Sequence, residues 1–297
     1  MEYKNTTSDK PLVSVCIQTY NHAGYIVQCL DGILSQERDF PIEVIIGEDD
    51  STDGTRDICI SYAEKYPDLI RLFLRSEKDK IWINGQKTGR FNFMSNLQAA
   101  RGKYIALCDG DDYWVDVQKL KKQVSLLETG TFTVCGTNAR LYYQTTGALG
   151  PALFKHQDRT EFSREDLVFH NPFPTSTVVF KKASGDFPQW FWETPYLDWS
   201  LYFFHSKDGK AIYLEDLTAV YRIHSGGLWG KIGTYQRIRN GIALRSFFLK
   251  EIDQVSLQRK VYHSLRTDAF RALRFSKGPK DARLFLTYSC KWLLSYV

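Results

Sequence analysis

Residues 104–114, Tyr104-Ile105-Ala106-Leu107-Cys108-Asp109-Gly110-Asp111-Asp112-Tyr113-Trp114, decide how the chain is read: an apolar, strand-forming run ends abruptly in three carboxylates around one glycine. Such a run predicts a buried strand that delivers acids to a sheet edge. Three anionic side chains this close repel one another, so a fold that keeps them together usually supplies a cation, and hard carboxylate oxygens suit Mg2+ or Mn2+. Gly110 lets the backbone turn sharply or approach a ligand. In a mostly parallel α/β sheet, ligands bind outside the carboxyl ends of the strands, where this turn would fall. An ordinary acidic turn has the same local sequence, and the rest of the chain decides between the two.

Upstream, Leu12 to Thr19 (LVSVCIQT) reads as a strand that Tyr20-Asn21-His22 interrupts, and Tyr25, Cys29 and Ile33 then mark one face of a helix. Ile42 to Ile46 is a second strand, followed by Gly47-Glu48-Asp49-Asp50-Ser51-Thr52-Asp53-Gly54-Thr55, in which Ser51 or Asp53 can cap the next helix. Leu69 to Leu74 gives a third strand, and Phe91 to Ala100 a helix leading to Tyr104. Strand alternating with helix predicts an open, mainly parallel sheet. No G-x-G-x-x-G and no G-x-x-x-x-G-K-[ST] occurs at these turns, which disfavours dinucleotide and P-loop sites.

Downstream, a helix is expected over Val117 to Glu128, strands over Phe132 to Thr137 and Thr177 to Phe180, and a loop-rich stretch over Gly147 to Pro172. A dense aromatic cluster, Trp190, Phe191, Trp192, Tyr196 and Trp199, surrounds Asp198. Ile212 to Leu214 and Ala219 to Ile223 lead into His224-Ser225-Gly226-Gly227-Leu228-Trp229, and from Tyr235 the pattern is helical.

At 297 residues and 43% hydrophobic, the chain can bury a core as one large domain or a domain plus an appendage. No apolar run approaches bilayer length, and the polar start from Met1 to Lys10 lacks the apolar centre of a secretory signal, so the expected compartment is the cytoplasm. The six cysteines form no C-x-x-C pair and read as reduced core residues. Charge is uneven: residues 231–297 hold 14 Lys+Arg against 4 Asp+Glu, a net of +10, while the remainder is −5. An anionic partner would be met by the tail.

The parts in order are a strand ending in Thr-Tyr-Asn, a strand ending in an acidic S-T-D-G-T turn, a strand ending in D-x-D-D, an Asp among aromatics, and Tyr221-Arg222-Ile223-His224. With Val13 to Asn21, Val44 to Thr55 and Ala100 to Leu107, they resemble the family 2 inverting glycosyltransferases of the GT-A fold, over about residues 11 to 230. The resemblance implies a Rossmann-like, mostly parallel α/β sheet flanked by helices in a catalytic domain over 1–230, with a basic helical extension over 231–297. It implies that Thr19, Tyr20 and Glu48 hold the uracil and ribose of a UDP-sugar, Glu48 standing where the family more often has Asp. Asp109 would contact the nucleotide, and Asp111 would bind Mn2+ or Mg2+ bridging the diphosphate. For Asp112 two roles stay open, the site itself or holding the loop. His224 would be a last metal ligand or a diphosphate contact, and Arg222 would pair with an acid or with phosphate. Lys87 and Arg90, in the Gly-flanked loop before Phe91, are candidates for the diphosphate, against the alternative of a solvated basic loop.

Glycosyl transfer needs a stabilised leaving diphosphate and a base for the acceptor hydroxyl. Asp198 matches the family's base; its aromatic neighbours would raise its pKa and offer stacking faces to a sugar. A helix N-cap before Trp199 is the competing role. Processive relatives carry Q-x-x-R-W and membrane spans, both missing here, so one sugar per glycan acceptor is expected, in surface polysaccharide (O-antigen, capsule or exopolysaccharide) assembly. The rival readings are a sugar-nucleotide pyrophosphorylase, which wants a Gly-rich loop after the first strand, and a nucleic-acid-binding module. The second wants basic and aromatic residues interleaved, so no nucleic-acid partner is expected. In the tail, Val261, Leu265, Ala269, Ala272 and Leu273 lie at helical spacing among basic residues, an amphipathic pattern that suits either an anionic membrane bearing lipid-linked acceptors or packing on the body.

Overall fold

Strand-forming runs with almost no polar interruption must be covered on both faces, and the protein covers them with helices. The computed structural model describes residues 2, 10–83, 85–155, 159–183, 185–227, 232–276 and 278–296, Gln86 by its backbone alone. The chain divides into two compact units, one of residues 1–163, 172–185 and 205–224, the other of 164–171, 186–204 and 225–297. The expected boundary at 230/231, with Leu228 and Trp229, lies outside the described residues.

In the first unit, β1 (Val13–Thr19), α1 (Ile26–Leu34), β2 (Ile42–Glu48), α2 (Thr55–Lys65) and β3 (Ile70–Leu74) alternate. A hairpin of β4 (Ile81–Ile83) and β5 (Gln86–Thr88) precedes α3 (Arg90–Ala99), β6 (Tyr104–Asp109), β7 (Tyr113–Trp114) and α4 (Lys119–Glu128). Next come β8 (Phe132–Tyr143), β9 (Ala148–Ala152), β10 (Glu161–Phe162), β11 (Val179–Lys181) and β12 (Lys210–Ile223). The sheet runs β10-β12-β8-β11-β6-β1-β2-β3. Strands β6, β1, β2 and β3 are mutually parallel, and β11 lies antiparallel between β6 and β8. This is the open, mainly parallel sheet the alternation predicts.

Helix α1 buries Ile26, Cys29, Leu30 and Ile33, spaced i, i+3, i+4, i+7, against the sheet. On α3, Asn92 and Asn96 donate to the Gly47 and Ile17 carbonyls at 2.7 and 2.9 Å. A Cβ on Gly47 would collide with both asparagine side chains, so this strand position requires glycine. At the opposite end of the sheet Glu43, wholly buried, accepts from Ser14 Oγ at 2.6 Å, Arg101 N at 2.7 Å and an Arg71 guanidinium nitrogen at 3.0 Å.

Several expectations need correction. The loop-rich stretch 147–172 also contains β9, β10 and a short helix, pieces too brief for periodicity to register. The runs at 212–214 and 219–223 are one strand, β12, whose register against β8 shifts near Leu217 and so breaks the alternation. Helix α2 follows Gly54 at φ +96°; Asp53 still accepts from Thr55 N, while Ser51 instead accepts from Asn21 N. Lys87 lies on β5 and Arg90 opens α3, so neither stands in a loop.

The second unit is helical: α5 (Arg164–Phe169), α6 (Leu197–His205, whose last residue belongs to the first unit), α7 (Thr234–Phe248), α8 (Val255–Ser276) and α9 (Pro279–Leu294). Helix α8 buries Leu257, Val261, Leu265, Ala269 and Ala272, and packs against α7 and α9. The apolar stripe read as suited to a membrane is therefore consumed inside this unit.

Candidate active site

Register brings the first group together. Parallel pairing sets Thr19 opposite Glu48 and Gln18 opposite Asp109, so three separate strand ends finish at one level of the sheet edge. Thr19 Oγ1, both amide atoms of Gln18 and His22 Nδ1 are buried there without a hydrogen-bond partner among the described residues. A Cβ on Gly110 would come within 2.7 Å of Thr19 Oγ1 and 2.9 Å of His22 Nδ1, so glycine keeps this cradle open.

Past Gly110, Asp111 Oδ2 lies 3.0 Å from His224 Nε2 and 3.8 Å from His22 Nε2. Burial pushes the Asp111 carboxyl up, but the His224 hydrogen bond and the nearby His22 outweigh it and hold the group below the usual carboxylate range. Burial lowers His22, which favours a neutral imidazole with a lone pair to offer. Tyr25 packs beside both rings, at 4.8 Å from His224 and 6.1 Å from His22 between centroids. His22 is a site residue that the sequence reading passed over; its position directly after Thr19-Tyr20-Asn21 at a strand end is the signal that could have found it.

Asp112 takes the supporting role. Fully enclosed, it accepts from Arg222 N at 2.9 Å, and burial together with Asp111 and Asp109 pushes its carboxyl well up. Arg222 does not pair with an acid side chain: Nε donates to the Asp111 carbonyl at 2.8 Å, and its other nitrogens donate to Gln144 Oε1 and Gln28 Oε1 at 2.6 and 2.7 Å. Tyr25, Tyr113 and Tyr142 surround the guanidinium. Arg222 thus clamps the acidic turn to β12.

Glu48 is wholly buried, with one oxygen accepting from Ser51 N at 2.7 Å and the other from Arg56 Nε. Beside it, Asp49 is nearly buried, and burial raises its carboxyl to about 6 despite Lys80. Tyr20 is half-exposed, with Lys80 Nζ 3.9 Å from its ring centroid. Asp50 sits at φ +65° and accepts from Glu77 N at 2.9 Å. Lys87 pairs with Glu77 at the surface, whereas Arg90 is buried and its guanidinium is lowered to about 10 by that burial. Asp109 is partly exposed, and its carbonyl accepts from Asp112 N at 3.0 Å.

Asp198 stands in the first turn of α6, inside the helix and not at its cap, where the helix dipole favours a carboxylate. Tyr196 and Trp199 flank it and stack on each other, centroids 6.3 Å apart at 24°. Trp199 Nε1 donates to the Leu167 carbonyl at 2.6 Å. Trp190 and Phe191 face elsewhere: Trp190 stacks on Phe247, and Phe191 meets Phe204 edge to face. The aromatic cluster read as surrounding Asp198 is therefore largely the core of the helical unit.

Asp111, His224 and His22 present oxygen and nitrogen donors of the kind Mn2+ accepts, and the orphaned polar atoms beside them leave room for a further group. Among the described residues, no cluster of three His, Cys, Asp or Glu side chains already has the spacing of a metal cage. The residues present fit a metal completed by ligand oxygens.

An open parallel sheet with acidic and polar strand ends at its carboxyl edge is the GT-A class of fold, and comparison bears this out. TarS of Staphylococcus aureus in complex with UDP-GlcNAc superposes with a TM-score of 0.62 at 16% identity, over 95% of this chain and 81% of that one. A mannosyltransferase of Pyrobaculum calidifontis, solved with GDP-Man and Mn2+, gives 0.57 at 18% identity, over 97% and 84%. The chain belongs to glycosyl transferase family 2, whose sequence pattern matches residues 14–186. An uncharacterized protein of Mycobacterium tuberculosis is 37% identical over 76% of this chain, which spans 62% of that relative's length.

Proposed function

We propose that the protein transfers a single sugar, with inversion, from a UDP-sugar to a hydroxyl of a glycan acceptor in surface-polysaccharide assembly. The Asp111–His224 pair at the sheet edge, 3.0 Å apart beside the Gly110 cradle, carries this reading. Thr19, Tyr20 and the Glu48–Asp49 pair hold uracil and ribose. With both Glu48 oxygens engaged, Asp49 is the carboxylate that receives the uracil N3 proton as a hydrogen bond. Asp109 meets the nucleotide, and Lys87 and Arg90 supply cations toward the diphosphate.

Asp111 and His224 would hold a Mn2+ or Mg2+ ion, which neutralises charge on the departing diphosphate. Asp198 takes the proton from the acceptor hydroxyl. The acceptor oxygen forms its bond to the anomeric carbon from the face opposite the diphosphate. The anomeric carbon–oxygen bond to the diphosphate breaks, and UDP leaves with the electron pair. Residues 1–230 would form the catalytic domain.

Among the described residues no helix is long and apolar enough to cross a membrane. Helix α9 leaves Leu286, Cys290, Leu293 and Leu294 exposed along one stripe, next to exposed Arg283 and Lys291. Reversible docking on an anionic membrane surface through this face, at the cytoplasmic leaflet, suits a lipid-linked acceptor.

The direct test is a panel of UDP-, dTDP- and GDP-sugars incubated with the protein and Mn2+. Slow release of UDP from one UDP-sugar is expected; hydrolysis confined to a GDP- or dTDP-sugar would reassign the donor, and none at all would count against transfer.

A further inference from the structure

The helical unit holds a cavity of about 310 Å3, at the lower end of the range for small-molecule pockets. One wall is the stacked pair Tyr196 and Trp199 from the start of α6. Helix α7 contributes Arg237 and Arg245, two turns apart, and α8 contributes Asp268 and Arg271. Asp268 binds Arg245 at 2.7 Å and Arg271 at 3.1 Å, so one carboxylate holds two guanidinium groups in position. Three arginines against one aspartate leave the lining with a surplus of positive charge.

Empty cavities left by imperfect packing are apolar. This one combines an aromatic face with planar cations. An aromatic face stacks on the C–H face of a sugar ring, and a guanidinium fork matches a carboxylate or a phosphate. The pocket is also tied to the proposed base. Tyr196 and Trp199 flank Asp198 in sequence, and the Tyr196 hydroxyl, raised by burial, feels both Arg237 and Asp198.

We propose that this cavity is an acceptor subsite that selects a sugar carrying an anionic substituent, a uronate carboxylate or a phosphate. The inference rests on the reading of Asp198 as the base that receives the acceptor proton. It narrows the acceptor from any glycan to an acidic one, with the aromatic wall orienting the ring and the arginines reading the charge.

Ligand-observed saturation-transfer NMR on the full chain tests it with four probes: glucuronic acid, glucose 6-phosphate, glucose and inorganic phosphate. One or both acidic sugars should bind, and which one does so separates carboxylate from phosphate recognition. Glucose should bind at least tenfold more weakly, and inorganic phosphate should compete poorly with the sugar it resembles. Arg237→Gln should bring the acidic sugar down to the level of glucose, and Arg271→Gln should lower it in the same direction. Equal binding of glucose and the acidic sugars, no binding of any sugar, phosphate competing as well as glucose 6-phosphate, or unchanged affinity in both variants would each overturn the proposal. UDP binding measured on the same samples should not change in either variant. Loss of activity without loss of acidic-sugar binding in Asp198→Asn is the expected pattern. Near-normal activity in that variant would remove the base assignment while leaving the binding result to stand.

Discussion

Asp111 and His224 lie 113 residues apart in the chain, yet the Asp111 carboxylate and the His224 imidazole meet at 3.0 Å. The bond from Arg222 Nε to the Asp111 carbonyl, and the bond from the Arg222 backbone N–H to buried Asp112, tie the two segments together, and Gln144 and Gln28 hold the rest of the guanidinium. The acidic turn is thus built as a platform, with Asp112 enclosed in the scaffold and Asp111 facing the two histidines.

If Asp111 binds the metal, Asp111→Asn should remove the Mn2+-dependent part of UDP affinity and leave the circular dichroism spectrum unchanged. Calorimetry with and without Mn2+ measures it. A variant with the parent's Mn2+-dependent binding would return the pair to a purely structural role.

Asp198→Asn keeps the shape and removes the proton acceptor. Donor binding should persist while turnover falls about a hundredfold or more, the usual scale for a positioned base. Single-turnover kinetics at saturating donor give the number, and near-normal turnover would leave Asp198 as a first-turn helix acid only.

Asp49 gives a pH dependence. Its carboxyl is raised by burial to about 6, and its ionised form is the stronger acceptor for the uracil N3–H. Uridine affinity should therefore rise as pH increases from 5 to 7.5, with a midpoint near that value, and Asp49→Asn should flatten the curve. Uridine is the right probe because it lacks the titrating phosphate of UDP; a parent curve already flat would move the contact elsewhere.

Glu43 carries the opposite pKa shift, and its consequence is in stability. Burial would raise its carboxyl, but bonds from Ser14, Arg101 and Arg71 hold it below the ordinary value. A depressed folded-state pKa contributes stability that is present above the unfolded value and lost as pH falls through the folded one. Glu43→Gln should cost about 3 kcal/mol at pH 7, the scale for breaking a buried ion-pair network. The difference from the parent should shrink at pH 3, as denaturation midpoints at the two values would reveal.

Acidic substitutions on the exposed apolar face of α9 test membrane docking. Leu286→Glu with Leu294→Glu should reduce pelleting with anionic vesicles at low salt and leave UDP binding intact. Equal pelleting of the parent with neutral and anionic vesicles would sink the idea.

What the sequence alone determined is local. Continuous apolar runs at β1, β2 and β6 can only be doubly covered strands, and their alternation with amphipathic segments settles a mainly parallel sheet. The acids at 109, 111 and 112 mark where the apolar run ends, and a mainly parallel sheet puts that end at its carboxyl edge. Tertiary structure decided which acid does what. Asp112 is enclosed and Asp111 faces His224 because β12 returns to pair with β7 and β8, setting the Arg222 backbone against one carboxylate and His224 against the other. It also decided that the α8 stripe faces α7 and α9, leaving the face of α9 open. No periodicity within one helix reveals whether another helix covers it, since the same amphipathic pattern suits a core, a membrane or a partner.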